Sequence, residues 1–186
     1  MIFEKSYKLH DDIYVYENFL TEEENKSCLD VIKGISEDGW KEHSFNLFRS
    51  DNLEALAILR DKVISICPDG MVFSFNLCAN RLEQGATYGE HVDTNTQADI
   101  LEASKSYVDG EPFELKEYPR FGLVYYFNDE FTGGEIYYPT LGISHTPKPG
   151  DLVIHSADLL HGVVPVKSGK RYSYTTAFCE KLKVKK

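Results

Sequence analysis

A chain of 186 residues with 42% apolar and 13% aromatic side chains can bury one substantial core, removing roughly 70% of its unfolded surface from water, so a single domain over 1–186 is expected. Thirty acidic residues against 20 lysines and arginines leave a formal net charge of −10, which repels phosphate backbones and argues against a nucleic-acid partner. No run of about eighteen uncharged apolar residues occurs and the start, Met1-Ile2-Phe3-Glu4-Lys5, has no apolar stretch with a cleavage site, so no membrane partner is expected and the chain reads as soluble and cytoplasmic.

In chain order, Ile13-Tyr14-Val15-Tyr16 is a candidate strand. Thr21, with Glu24 three residues on, has capping-box spacing and predicts a helix carrying Cys28, Leu29 and Ile32 inward. A second helix is expected from about Asn52 to Ile66. Leu53, Leu56, Leu59 or Arg60, and Val63 recur at helical spacing, Asp51 and Glu54 stand where they can cap it, and Pro68 closes it. Residues 1–70 therefore read as helical and strand support that buttresses a sheet without carrying chemistry.

From Met71 the period becomes two, with Met71, Phe73, Phe75 and Leu77 alternating with Val72, Ser74, Asn76 and Cys78. Gly122 to Phe127, Ile136 to Tyr138, Asp151 to His155, Gly162 to Val166 and Arg171 to Phe178 are further short strands with Gly, Pro, Asn or Asp between them. The fold class expected is mainly β (α+β), a jelly roll over 71–180 with N-terminal supporting helices. The connection 94–118 is long and acidic: Asp99, Glu102, Asp109, Glu111, Glu114 and Glu117 face only Lys105 and Lys116. It is expected either to form a lid over the site that favours a cationic peptide or protein, or to be a solvated insertion without catalytic consequence. Cys28, Cys67, Cys78 and Cys179 show no CxxC spacing and read as small buried groups in a reducing compartment. The basic end, Lys181, Lys183, Lys185 and Lys186, reads as a frayed tail.

The chemistry concentrates in His91, Asp93 and His161. Residues i and i+2 of one strand project from the same face, so His91 and Asp93 can grip one ion, and His161 completes the grip from elsewhere. Two imidazoles and a carboxylate leave about three coordination positions open, the arrangement associated with non-haem Fe(II) oxygenases rather than a closed structural zinc site. Arg171 follows His161 by ten residues, and the segment between them predicts a hairpin turning on Ser168-Gly169 that carries imidazole and guanidinium into one cavity. His155 competes for the ligand assignment, but only His161 has the following glycine and the ten-residue interval to Arg171. His10, His43 and His145 have no ligand partners at recognisable spacing.

The string Arg81-Leu82-Glu83-Gln84-Gly85-Ala86-Thr87-Tyr88-Gly89-Glu90-His91-Val92-Asp93 resembles the first half-site of prolyl 4-hydroxylase-like 2-oxoglutarate/Fe(II) dioxygenases. Tyr125-Tyr126-Phe127-Asn128, Phe131-Thr132-Gly133-Gly134-Glu135, Pro147-Lys148-Pro149-Gly150-Asp151 and the segment from His161 follow in the family's order, so the resemblance spans about residues 72 to 178. It implies a cupin-like double-stranded β-helix with Fe(II) on His91, Asp93 and His161, 2-oxoglutarate as co-substrate, dioxygen as oxidant and ascorbate as a helper that reduces ferric iron. Arg171 would meet the distal carboxylate of 2-oxoglutarate in two parallel hydrogen bonds, Tyr126 would add another, and Thr175 lies close by analogy. Tyr88 and Arg120 match positions that touch substrate in relatives, although the interval from Arg120 to Tyr126 is one residue short.

The implied activity is hydroxylation of a peptidyl residue, prolyl first among candidates. Two departures from the pattern bear on the target: Ala177 stands where many prolyl hydroxylases carry a tryptophan, and Leu82 where an aromatic is expected. Losing an indole removes a flat apolar wall, which admits a different or larger residue. A second reading is hydroxylation of a free amino acid or other small molecule, favoured by a small closed pocket. A third is a non-catalytic cupin-like metal-binding barrel, against which Arg171 argues, since a structural metal needs no buried guanidinium beside it.

Overall fold

The computed structural model describes residues 3, 6–50, 56–73, 78–94 and 116–182. In chain order the elements are β1 (Tyr7–His10), β2 (Ile13–Tyr16), α1 (Glu22–Lys33), a 3-10 turn (Glu37–Gly39), β3 (Lys41–Ser44), β4 (Leu47–Ser50) and α2 (Ala57–Ser65). There follow β5 (Met71–Phe73), β6 (Cys78–Leu82), β7 (Tyr88–His91), β8 (Lys116–Tyr126), β9 (Phe131–Thr132), β10 (Ile136–Tyr138) and β11 (Ile143–His145). The last are β12 (Leu152–Ser156), β13 (His161–Val163), β14 (Ser168–Gly169) and β15 (Arg171–Leu182).

Among the described residues the major sheet has nine strands in the order β1-β2-β12-β8-β15-β6-β4-β3, with β5 also pairing β15. The minor sheet has the order β11-β10-β13-β7, and β14 pairs β9 in a ribbon. The two sheets form a double-stranded β-helix, and strand parity divides the major sheet into two faces. On the inner face, the register sets Arg49, Asn80, Ser173 and Tyr126 in one row across four strands, and Thr175 beside Val124 and Val153 in the next. Val124, Tyr126 and Val153 pack there against Ile136 and Tyr138 of the minor sheet, and Leu47 and Leu82 pack against Val163.

The outer face is covered by the helices. Tyr14, Tyr16, Leu123, Tyr125, Leu152, Ile154, Tyr172, Tyr174 and Phe178 share a core with Cys28 and Ile32 of α1 and Leu59 and Val63 of α2. Strands buried on both faces carry apolar residues without a break, as Leu152-Val153-Ile154 does. The capping box on α1 is present as its spacing predicts: Thr21 accepts from the Glu24 amide at 3.2 Å and the Glu24 carboxylate accepts from the Thr21 amide at 2.8 Å. Such a cap contributes about 1 kcal/mol. Lys62 of α2 reaches the same Glu24 at 2.6 Å, fastening the second helix to the first. The residues expected to cap α2, Asp51 and Glu54, lie outside the described residues, as do Phe75, Leu77 and positions 95–115 of the acidic connection.

One expectation needs correcting. His161 and Arg171 do not lie on the two arms of a hairpin. β13 pairs β10 and β7 in the minor sheet, whereas β15 pairs β8 and β6 in the major sheet. Beyond Val163 the backbone still bonds the flanks of the neighbouring strands, Val164 with Gly134 and Glu135 and Val166 with Gly85 and Ala86, and only after that does the chain cross to the major sheet. Ser168–Gly169 is itself a strand against Phe131–Thr132, with Gly169 at φ +77 pressed against the Glu130 carbonyl, where a Cβ would lie 2.1 Å from that oxygen. The two residues still share a cavity, but they enter it from facing sheets.

The β3–β4 hairpin has no counterpart in the sequence reading. Lys41-Glu42-His43-Ser44 is exposed throughout and offers no apolar alternation. Its signal is Asn46, which turns the chain at φ 53, a conformation asparagine tolerates.

Candidate active site

His91 ends β7 and His161 opens β13, and the register places the two directly opposite each other. Asp93 lies two residues beyond the strand end, held by its amide donating to the Ala157 carbonyl at 2.9 Å. One ligand atom from each of the three lies within 4.8 Å of the others. Asp93 Oδ1 stands 3.6 Å from His91 Nε2 and 3.8 Å from His161 Nε2, so small side-chain adjustments bring all three onto one divalent ion. Each histidine is aimed by its other nitrogen: His91 Nδ1 bonds the Gly89 carbonyl at 2.8 Å and His161 Nδ1 the Leu159 carbonyl at 2.9 Å. The Nδ1 proton used in those bonds leaves Nε2 as the free lone pair, the tautomer a metal needs.

Burial raises the proton affinity of Asp93, but the hydrogen bond to His155 and the three nearby imidazoles outweigh it and hold the carboxyl below its ordinary value. For His161, burial first and His155 second push the imidazole down to about 4, so it is neutral and ready to coordinate at neutral pH. The unfolded chain, with an ordinary value of 6.5, takes up this proton first as pH falls. Stability is therefore full above about 6.5 and lost between there and about 4, by up to about 3 kcal/mol. Urea unfolding of the metal-free protein at pH 7.5 and 4.5 checks this: His161→Gln is expected to reduce the difference between the two, and an unchanged difference would contradict it.

The three residues lie in a cavity of about 510 Å³ that also takes in Arg49, Asn80, Tyr88, Val124, Arg171, Ser173 and Thr175. Arg171 is buried, with Nη1 donating to Ser173 Oγ at 3.2 Å and its guanidinium 4.8 Å from the Tyr126 ring centroid. Neither Arg171 Nε nor the Tyr126 hydroxyl has a hydrogen-bond partner among the described residues, although both are fully shielded from water. Burial raises the Tyr126 phenol above its ordinary value against the pull of Arg171, so it is a proton donor at neutral pH. Buried donors left idle cost about 1–3 kcal/mol each, which marks a place for an acceptor from outside the chain.

The other expected site residues divide. Thr175 lines the cavity and accepts from Asn80 Nδ2 at 3.1 Å. Tyr88 also lines it, but its hydroxyl is engaged, accepting from Arg49 Nε at 3.0 Å and donating to Asn80 at 3.3 Å. Arg120 stands apart from the cavity lining: at the bulge between Phe178 and Cys179 its exposed guanidinium pairs with Glu180 at 3.4 Å. His155 is not part of the three-residue cluster and lies behind Asp93, with Nε2 3.1 Å from Oδ2. Two residues carry no sequence signal of their own: Arg49, which depends on the missed hairpin, and Gly122. A Cβ at Gly122 would fall 1.9 Å from Asp93 Oδ2 and 2.6 Å from His155 Nε2. Gly122→Ala is expected to destabilise the fold by about 1–3 kcal/mol and weaken metal binding together. Titration with Mn(II) beside a thermal scan checks this, and wild-type values in both would contradict it.

The profile described as the 2OG-Fe(II) oxygenase superfamily matches residues 77–179, more than half of the chain. The chain belongs to this superfamily. Its members are oxidoreductases that use Fe(II), 2-oxoglutarate and dioxygen. No curated protein matches the chain in sequence. Among solved structures, the viral collagen prolyl hydroxylase of Paramecium Bursaria Chlorella virus-1, in complex with 2-oxoglutarate, is similar in fold: 20% identity, 91% of this chain and 97% of that one covered, TM-score 0.66. A Trichoplax adhaerens prolyl hydroxylase in complex with a peptide of hypoxia inducible factor gives 15% identity, 91% and 84% coverage and a TM-score of 0.64. HygX of Streptomyces hygroscopicus, with nickel, 2-oxoglutarate and hygromycin B bound, gives 12% identity, 91% and 83% coverage and a TM-score of 0.62.

The superfamily's cofactors fit the residues present. The nitrogen, nitrogen and oxygen donors of His91, His161 and Asp93 suit Fe(II) and leave positions open. The idle donor on Arg171 suits a carboxylate in the same cavity, and the Tyr126 hydroxyl is a second idle donor on the residue that packs against that guanidinium.

Proposed function

We propose that His91, Asp93 and His161 hold the catalytic iron and that Arg171 and Tyr126 receive the distal carboxylate of 2-oxoglutarate, with the chain hydroxylating a peptidyl residue, prolyl first among candidates. The observation that carries the site assignment is the pairing, in one cavity, of a three-donor cluster with buried Arg171, whose Nε is an idle donor and whose guanidinium lies against Tyr126, itself with an idle hydroxyl. Peptidyl hydroxylation is supported by the family-wide motifs and by the fold shared with prolyl hydroxylases, one of them in complex with a peptide.

Fe(II) held by His91, Asp93 and His161 would supply the coupling of dioxygen reduction to oxidative decarboxylation of 2-oxoglutarate, giving succinate and carbon dioxide, and to hydroxylation of a C–H bond of the target. The chain's part is positioning and exclusion of water. Arg171 is fixed by Ser173 and held over Tyr126, so its fork is set before the co-substrate arrives and little side-chain entropy remains to be lost. Val124, Ile136 and Val163 give the cavity an apolar lining that strengthens each charge-assisted hydrogen bond. Thr175, tied to Asn80, keeps its own hydroxyl hydrogen available beside the co-substrate. Ascorbate is proposed as the reductant that returns ferric iron to the ferrous state.

A second reading, hydroxylation of a small molecule that carries a carboxylate, is favoured by Arg49. It puts a second guanidinium in the cavity, where Asp93 is the sole acidic residue among the described lining residues. The expectation of a cationic target rests on the 94–118 connection, most of which lies outside the described residues. A panel of prolyl peptides and free amino acids, read by mass for the gain of one oxygen with Fe(II) and 2-oxoglutarate present, separates the readings. Oxidised peptides support the first, and oxidation of free amino acids alone would overturn it.

A further inference from the structure

We infer that His155 is a positioning residue that makes Asp93 a one-oxygen metal ligand. The inference rests on the metal assignment of His91, Asp93 and His161 and goes beyond it. A carboxylate has two equivalent oxygens, and either one, or both together, can bind an ion. In this site the two have different surroundings. Oδ1 faces the ligand nitrogens of His91 and His161 at 3.6 and 3.8 Å, whereas Oδ2 faces His155 Nε2 at 3.1 Å.

The direction of that last bond follows from its neighbour. His155 is fully buried, and its Nδ1 lies 3.2 Å from the hydroxyl of Tyr138, which is also fully buried. If Nδ1 carried the proton of a neutral ring, Nε2 would present a lone pair to a carboxylate oxygen, and two acceptors would face each other without water. With the proton on Nε2, the Tyr138 hydroxyl donates to Nδ1 and Nε2 donates to Asp93, so every polar atom in the chain of contacts is satisfied. Tyr138 thereby sets the tautomer, the tautomer sets the donor, and the donor occupies Oδ2.

Two further features show that the fold is shaped around this contact. Gly122 supplies the space, because a Cβ there would overlap Asp93 Oδ2 and His155 Nε2 together. The His155 ring also packs against that of His161, 4.2 Å from centroid to centroid and tilted by 49°, so the same residue braces a second ligand. With Oδ2 held, Asp93 cannot chelate through both oxygens. The coordination positions facing the cavity then stay open for the two co-substrate oxygens and dioxygen. Without His155 the carboxylate is free to rotate, at the expense of affinity and of an open position.

The test is Co(II) titration of the full metal-free chain, read by calorimetry and by the visible absorption of the bound ion, in the wild type and in His155→Phe, His155→Gln, Tyr138→Phe and Asp93→Ala. His155→Phe keeps the ring's bulk without a donor and is expected to weaken binding about 10–100-fold and to change the Co(II) spectrum. His155→Gln places an amide donor at similar reach and is expected to recover most of both. Tyr138→Phe, which leaves the imidazole but frees its tautomer, is expected to fall between, and serves as the readout should the His155 variants fold poorly. Wild-type affinity and spectrum in His155→Phe and Tyr138→Phe, beside loss of binding in Asp93→Ala, would overturn the positioning role and leave the metal assignment standing. Co(II) binding by Asp93→Ala equal to that of the wild type would overturn the metal assignment, and the positioning role with it.

Discussion

Arg171→Ala is expected to raise the KM for 2-oxoglutarate by roughly 30- to 5,000-fold while leaving kcat at saturating co-substrate much less affected. Truncating one partner of a buried, hydrogen-bonded charge pair costs about 2–5 kcal/mol, partly because the remaining charge is left in a dry cavity. Arg171 fits that description: it is buried, its Nη1 is engaged with Ser173 and its Nε has no partner until a ligand arrives. In the proposed pose Arg171 meets the distal carboxylate and not the end of 2-oxoglutarate that reacts, so the loss is expected to fall on binding rather than on the later steps. Tyr126→Phe removes a single donor to the same group and is expected to cost about 1.5–3 kcal/mol in the same parameter. Steady-state kinetics with 2-oxoglutarate as the varied substrate checks both. A KM for Arg171→Ala within threefold of the wild type would contradict the assignment.

The second large effect is expected at His91. Losses of groups that merely orient a ligand already cost about 10–100-fold in metal affinity, so removing one of the three proposed ligands is expected to exceed a hundredfold and to abolish turnover at micromolar iron. His91 is the ligand to choose because its side chain is 39% exposed, whereas that of His161 is only 5% exposed and packs between His91, Tyr138 and His155. His91→Ala therefore changes the donor set with little change in the core, and the metal-free variant is expected to stay within about 1 kcal/mol of wild-type stability. Isothermal titration with Fe(II) under anoxic conditions, beside urea unfolding, checks both halves. Tight iron binding by a well-folded His91→Ala protein would show that the ion is held elsewhere.

What could be read from sequence follows from how locally each feature is encoded. The α1 cap and the short strands Ile13–Tyr16 and Ile136–Tyr138 rest on spacing within one element, and the fold reproduces them at the same residues. The triad was legible because His91 and Asp93 are two apart and His161 stands in a distinctive segment with Arg171. What joined His161 to Arg171 was not legible. A turn signal at Ser168-Gly169 is the same whether it closes a hairpin or lies in a chain crossing between sheets, and the choice depends on β9, two residues in a distant loop. The contacts that Gly122, His155 and Tyr138 make around Asp93 escaped for a related reason. Their value lies in a three-way approach among β8, β10 and β12, and no periodicity within one strand encodes it. Arg49 needed a polar hairpin that apolar alternation does not mark.

The site has a division of labour between sheets. The minor sheet carries His91 and His161, and the major sheet carries Arg171, Tyr126 and the His155 brace. Metal and co-substrate would thus bridge the layers. The most direct measurement is a crystal structure of the full chain with Mn(II) and 2-oxoglutarate bound without oxygen. It is predicted to show one ion on His91 Nε2, His161 Nε2 and a single oxygen of Asp93, with the far carboxylate of 2-oxoglutarate on Arg171 and Tyr126. An ion seated away from these three residues, or a co-substrate carboxylate turned from Arg171, would contradict the account.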